Sequence, residues 1–148
     1  SSPIAWLSDP FWAKITIILA ITWRWTGYNM IFYLSALQNV DKSMYEAAKI
    51  DGASAMQQFF FITIPLLKPI ILFTSIVSTI GTLQLFDEVM NITSGGPGNS
   101  TMTISMYIYN LSFEYTPDFG YAATVSYVVL ILVVILSFIQ FRVAGDRD

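Results

Sequence analysis

The sequence predicts an all-α, polytopic helical membrane protein of about three spans, with a polar helical loop on one side and a short helix on the other. Two observations predict it. Of the 148 residues, 55% are hydrophobic and only 11% charged, whereas a soluble domain carries about a quarter charged residues. Residues 69 to 86 and 119 to 141 contain no charged side chain at all, and a bilayer-spanning helix needs roughly 20 mainly apolar residues. The second window clears that length; the first reaches it once Lys68 and Asp87 snorkel at its ends.

Taken in order, the N-terminal "SSPIAWLSDPFW" lacks an initiator Met and a signal-peptide pattern. It reads as a loop cut open, so the chain is expected to be the C-terminal portion of something longer. The first span, about residues 15 to 37, is interrupted by Arg24. A polar loop follows over about residues 41 to 66, then spans over about 68 to 90 and 119 to 141, with an intervening loop over about 91 to 118. Lys42, Lys49 and Lys68 lie in or beside the first loop, and Arg142 and Arg147 follow the last span. The loop from Asn91 to Asp118 has neither Lys nor Arg. The positive-inside rule then puts the first loop and the C-terminus in the cytoplasm and the second loop outside. Lys14 runs against that orientation, while Trp6, Phe11 and Trp12 suit an outer aromatic belt.

The chain has no cysteine and no histidine, which removes disulfides, thiol chemistry, histidine general-base catalysis and the usual zinc sites. A net charge of −3 argues against a nucleic-acid partner. No G-x-x-x-x-G-K run is present to wrap phosphates; Gly95, Gly96 and Gly98 have no following Lys. If the protein moves solute uphill, its energy must come from another chain. Asn91, Asn99 and Asn110 each begin an N-x-S/T triplet, which we read as chance.

The inner loop is closely punctuated. Ser43 with Glu46 and Ser54 with Gln57 have capping-box spacing. Gly52 is placed to end a first short helix in a left-handed turn, and Pro65 and Pro69 are expected to break the chain into an elbow where it re-enters the membrane. Small Ala47, Ala48, Ala53 and Ala55 and greasy Phe59, Phe60 and Phe61 give the knuckle apolar edges, the kind of patch that marks a contact surface.

The spacing of Glu46-Ala47-Ala48, Gly52, Ile62-x-Ile64-Pro65 resembles the EAA loop of binding-protein-dependent ABC importer permeases, E-A-A, x3, G, x9, I-x-L-P, departing only in Ile64 where Leu is usual. "YEAAKIDGAS", "TSGGPGNST" and "YIYNLSFEYTPDFGYAA" together look like the carbohydrate-importer branch, the maltose-, lactose- and glycerol-3-phosphate-type permeases. The likeness runs from about residue 3 to Arg142. It implies part of a type I importer permease core in the inner or plasma membrane of a bacterium or archaeon. Its implied partners are ABC ATPase subunits, a second permease subunit and an extracytoplasmic solute-binding protein. ATP and Mg would be used by the ATPase, with no cofactor or metal bound here. The implied docking knuckle is Glu46, Ala47, Ala48, Asp51 and Gly52, with Ile62 and Pro65 completing the motif.

Two features suggest where solute passes. At about 100° per residue, Thr74, Ser75, Ser78, Thr79, Gly81 and Thr82 share one face. That stripe is either helix packing or the wall of a hydrophilic path; Gln84, Asp87 and Glu88 extend it outward. Arg24 sits among Trp23, Trp25, Tyr28 and Asn29. It is either ion-paired with Asp87 or Glu88, or part of a sugar path in which aromatic rings meet C–H faces. The candidate path is therefore Arg24, Tyr28, Thr74, Ser78, Thr82, Gln84 and Asp87. Outside, a short interfacial helix is expected from about Met102 to Phe113, begun by Ser100 or Thr101. The last span starts with small residues for close packing, and its inner half reads as lipid-facing. Alternatives are a permease for an amino acid, phosphate or metal, or a passive channel or scaffold. An embedded enzyme is a third, disfavoured because Asp87 and Glu88 diverge on a helix.

Overall fold

The computed structural model describes residues 4–145, and among them every regular element is helical. Arg147 lies outside the described residues. Helix α1 is Pro10–Gln38, α2 Lys42–Ile50, α3 Ala55–Gln58, α4 Ile64–Leu83, α5 Asp87–Ile92, α6 Ile104–Tyr109 and α7 Phe119–Gly145. Wide π-helical turns follow α3 (Phe59–Thr63) and α6 (Asn110–Glu114). Two stretches, Ala55–Leu83 and Phe119–Val143, are long and apolar enough to cross a membrane. Helix α1 has the length, but Arg24, Asn29 and its tryptophans lower its hydropathy.

Each start has a chemical cause. Asp9 caps α1, accepting from the Phe11 and Trp12 amides, with Pro10 in the first turn where its missing N–H costs nothing. Asp41 caps α2 by accepting from the Ser43 amide at 2.9 Å. The expected Ser43–Glu46 box is thus corrected: the helix begins two residues earlier, on a carboxylate that the helix dipole favours over a hydroxyl. The Ser54–Gln57 box is present in full, 3.3 Å and 2.8 Å.

The expected proline elbow does not form. The helix runs unbroken from Ala55 to Leu83 with Pro69 inside it. Pro65 falls in the first turn of α4, and the preceding π-helical turn opens the ladder where its ring would otherwise crowd the carbonyl behind it. Thr63 Oγ1 donates to the Gln58 carbonyl five residues back, at 3.5 Å, in keeping with that wider turn.

The expected span over 68–90 ends sooner, at Leu83. Leu85 and Val89 turn into a cluster with Ile17 and Met106, flanked by Ile21, Phe86, Met90 and Ile92. The Leu85 carbonyl freed by the break accepts from Thr103 Oγ1 at 2.6 Å. Thr103, not Ser100 or Thr101, caps α6; the Thr101 hydroxyl is occupied by Thr93 and the Gly96 carbonyl at 2.7 and 2.9 Å.

Helix α4 lies between α1 and α7. Against α1 it runs antiparallel in a readable register. Trp25 covers Gly81, Asn29 bonds Ser78 at 3.3 Å, and Tyr33 bonds Thr74 at 2.9 Å. Residues 25, 29 and 33 are four apart, so they share one face, as do 81, 78 and 74. On the α7 side, Gln140 Nε2 donates to Thr79 Oγ1 at 2.8 Å, and Val129 and Val133 are buried. The C-terminal half of α7, expected to face lipid, therefore carries a packing face as well.

Candidate functional site

Two regions gather the residues singled out by sequence. The first is the knuckle. Helix α2 ends at Ile50, Gly52 takes φ +81°, and two bonds close the turn: Ala53 N–H to the Ala48 carbonyl at 2.8 Å and Gly52 N–H to the Lys49 carbonyl at 3.1 Å. This is the Schellman arrangement, which needs a left-handed residue that glycine supplies without strain. The E-A-A-x-x-x-G spacing therefore has a local meaning: the third motif residue supplies the carbonyl that the turn captures. Tyr45 reaches back to Thr63 at 2.9 Å and Gln58 Nε2 to the Ala53 carbonyl at 2.9 Å, folding α2 against the long helix. A groove of about 300 Å³ between them is lined by Ala48, Asp51, Ala53, Gln57, Gln58, Phe61 and Ile62. Glu46, Ala47, Asp51, Gly52 and Pro65 are exposed, and Ala48 and Ile62 half-buried. Ile50 is 86% and Phe61 78% exposed, so the knuckle presents bare apolar side chains beside its polar ones.

The second region is a cavity of about 380 Å³ between α1 and α4, lined by Arg24, Trp25, Tyr28, Val77, Gly81 and Gln84. That volume is within the range of about 300–1,000 Å³ usual for small-molecule sites. Trp25 and Tyr28 meet edge to face at 5.4 Å, and the Arg24 guanidinium lies 5.0 Å from the Trp25 ring centre. Trp25 fits only because residue 81 is glycine: a Cβ there would stand 2.4 Å from its Cζ2. The Trp25 Nε1 is buried with no hydrogen-bond partner. Aromatic faces, a guanidinium and a side-chain amide in one hollow are the groups that engage C–H faces and hydroxyls.

The structure brings Arg24, Tyr28 and Gln84 together there, and resolves the partner of Arg24 as Glu88 rather than Asp87. Ser78 and Thr82 open instead onto a separate groove of about 350 Å³ with Thr79, Leu83 and Leu136. Thr74 is fully buried, bonding Tyr33 and the Ile70 carbonyl, and so faces no open space in this chain. Asp87 is exposed at the first residue of α5 and lines neither hollow. Sequence reasoning missed Val77, and it missed that the Trp25 ring lies against Gly81. A glycine inside an otherwise hydroxylated helical stripe was the available signal. Among the described residues, no group of three or more acidic, cysteine or histidine side chains could hold a metal ion.

Residues 2–145 match the family described as binding-protein-dependent transport system inner membrane component. Similar curated proteins include the lactose transport system permease protein of Rhizobium radiobacter, 68% identical over 98% of this chain and 49% of its own length. The arabinooligosaccharides permease protein of Bacillus subtilis is 36% identical, over 98% of this chain and 46% of its own. The trehalose/maltose permease protein of Thermococcus litoralis is 36% identical, over 99% and 49%. The chain thus spans about half the length of the curated relatives it matches.

Proposed function

The chain belongs to the binding-protein-dependent transport inner membrane component family, and on that premise we propose that it is part of the permease subunit of an ABC sugar importer. Its proposed task is to line part of the translocation path while a separate ATPase subunit, using ATP and Mg, drives the exchange of access through the knuckle. Lactose or a related oligosaccharide is the proposed solute, supported by the 68% identity to a lactose permease protein. A second permease subunit and a solute-binding protein complete the proposed assembly. In the proposed orientation the knuckle and C-terminus are cytoplasmic, supported by Lys42, Lys49, Lys68 and Arg142.

The observation that carries the reading is the compact turn at Gly52, which folds α2 onto a helix continuous with the membrane stretch Ala55–Leu83. A partner gripping Glu46 to Gly52 would hold the end of that helix directly. A ligand or partner shifts such an equilibrium only by binding the two states unequally, so a stiff connection between grip and span is what transmission requires. The test uses the full-length protein in cells carrying the whole transporter. Labelled lactose uptake should require this subunit, and deletion of Glu46 to Gly52 should abolish both uptake and co-purification of the ATPase. Retained ATPase binding and uptake after the deletion would overturn the reading.

A further inference from the structure

Glu88 of α5 pairs with Arg24 of α1, and it is Arg24, not Glu88, that lines the cavity between α1 and α4. Ile17, Ile21 and Arg24 are spaced four and three apart on α1, so they share one face. Ile17 and Ile21 pack on the cluster containing Val89 of α5, and Arg24 continues that seam to Glu88. Trp25, one residue on, is turned by about 100° and lies instead on Gly81 of α4. The guanidinium over the indole joins the two faces.

We propose that the Arg24–Glu88 pair is a positioning tie through which the short helix α5 sets the place of Trp25 in the cavity. The inference rests on the permease reading for its consequence in transport, but not for its geometry. Adhesion is a poor explanation of the pair. Glu88 is 14% exposed, and its second oxygen, Oε2, is buried without a partner. A pair left half satisfied is weak glue, because desolvation offsets the attraction. The apolar cluster beside it already fastens α5 to α1. What the pair adds is direction: it links a carboxylate on α5 to a cation seated on the indole. A shift of α5, on the proposed external side, then moves the aromatic wall of the cavity.

The test is a cycle of Glu88→Gln, Arg24→Gln and the double variant in the assembled full-length transporter, with two readouts. The first is the labelling rate of a Gln84→Cys reporter by a membrane-impermeant maleimide in an otherwise cysteine-free background. Gln84 lines the cavity and is exposed, and this chain holds no competing thiol. The second, with native Gln84, is the concentration for half-maximal lactose uptake. All three variants should change the labelling rate several-fold to a common value. For Glu88→Gln half-saturation should rise about ten-fold, equivalent to ~1.4 kcal/mol, with complex yield retained; Arg24 itself lines the cavity, so its variants are compared through the labelling rate. The double variant should be no worse than either single one, since it leaves no unpaired charge and keeps the test open if a single variant fails to assemble. Unchanged labelling, or effects that add, or uptake losses that merely follow complex yield would overturn the tie. Absent lactose uptake by the parent transporter, with the labelling change intact, would sink the lactose reading and leave the tie standing.

Discussion

Gly81→Ala tests the close approach of α1 and α4 most directly. The new Cβ would lie 2.4 Å from Trp25 Cζ2 and 2.7 Å from Cη2, where carbon atoms prefer about 3.5–4.0 Å. The indole must withdraw by about 1 Å or more to restore that spacing. Overpacking of this kind costs about 1–3 kcal/mol, while alanine regains about 1 kcal/mol of helix propensity over glycine. The net, roughly 0–2 kcal/mol, makes stability an insensitive readout, so the position of Trp25 is the quantity to follow. A sugar ring that loses an aromatic face forfeits about 1 kcal/mol, or about a five-fold rise in half-saturating concentration. On the proposed lactose reading, the assay is labelled lactose uptake by the full transporter, in the native and the Trp25→Phe backgrounds. Phenylalanine lacks the two atoms that clash, so Gly81→Ala should add little there. An equal effect in both backgrounds, or none in the native one, refutes the packing argument.

Three further outcomes are expected. The Asp41 carboxyl is held below the usual aspartate range by the Ser43 backbone N–H and then its side chain. Its cap on α2 is therefore fully present above the ordinary aspartate pKa and lost as pH falls through the lowered value. Amide exchange over residues 42–50 should quicken on acidification, and Asp41→Asn should remove that acid-dependent component. Gly52→Ala meets open space but sits at φ +81°, so it should cost about 1–2 kcal/mol of backbone strain, read as less co-purification of the proposed ATPase partner. Gly52→Asn should retain more, because asparagine tolerates that region. Tyr33→Phe removes one hydroxyl from Thr74, which keeps its bond to the Ile70 carbonyl at 2.8 Å. Thermal stability of the complex should fall by about 0.5–1.5 kcal/mol, with assembly intact; a collapse of assembly would show that the rung does more than the geometry implies.

What was legible from the residues was mostly local. The turn at Gly52 and the Ser54–Gln57 box are decided within a few positions, and both occur as expected. Arg24 needed an anion and the candidates were two neighbours; only the fold could choose Glu88. The stripe on residues 74 to 82 was read, while the four-residue spacing of Trp25, Asn29 and Tyr33 opposite it was not. Their pairing was out of reach, because Asn29 and Ser78 are 49 residues apart and Tyr33 and Thr74 are 41 apart. The end of α4 at Leu83 was hidden for the same reason: its causes are Thr103, Ile17 and Met106. Pro65 misled differently. A ring that would break a helix interior is harmless in a first turn behind a widened one, and no proline rule read alone reports the turn before it.

The uninterrupted run from Ala55 to Leu83 changes how force would travel. At 1.5 Å per residue it is about 43 Å long, continuous through the widened turn at Phe59–Thr63 and past Pro69. A tilt of about 5° pivoting at one end would sweep the other by roughly 4 Å over that length, a little more than half the width of a sugar ring and its hydroxyls. On the proposed permease reading, the continuity of this helix would then be the property that carries a small stroke at one end to the other.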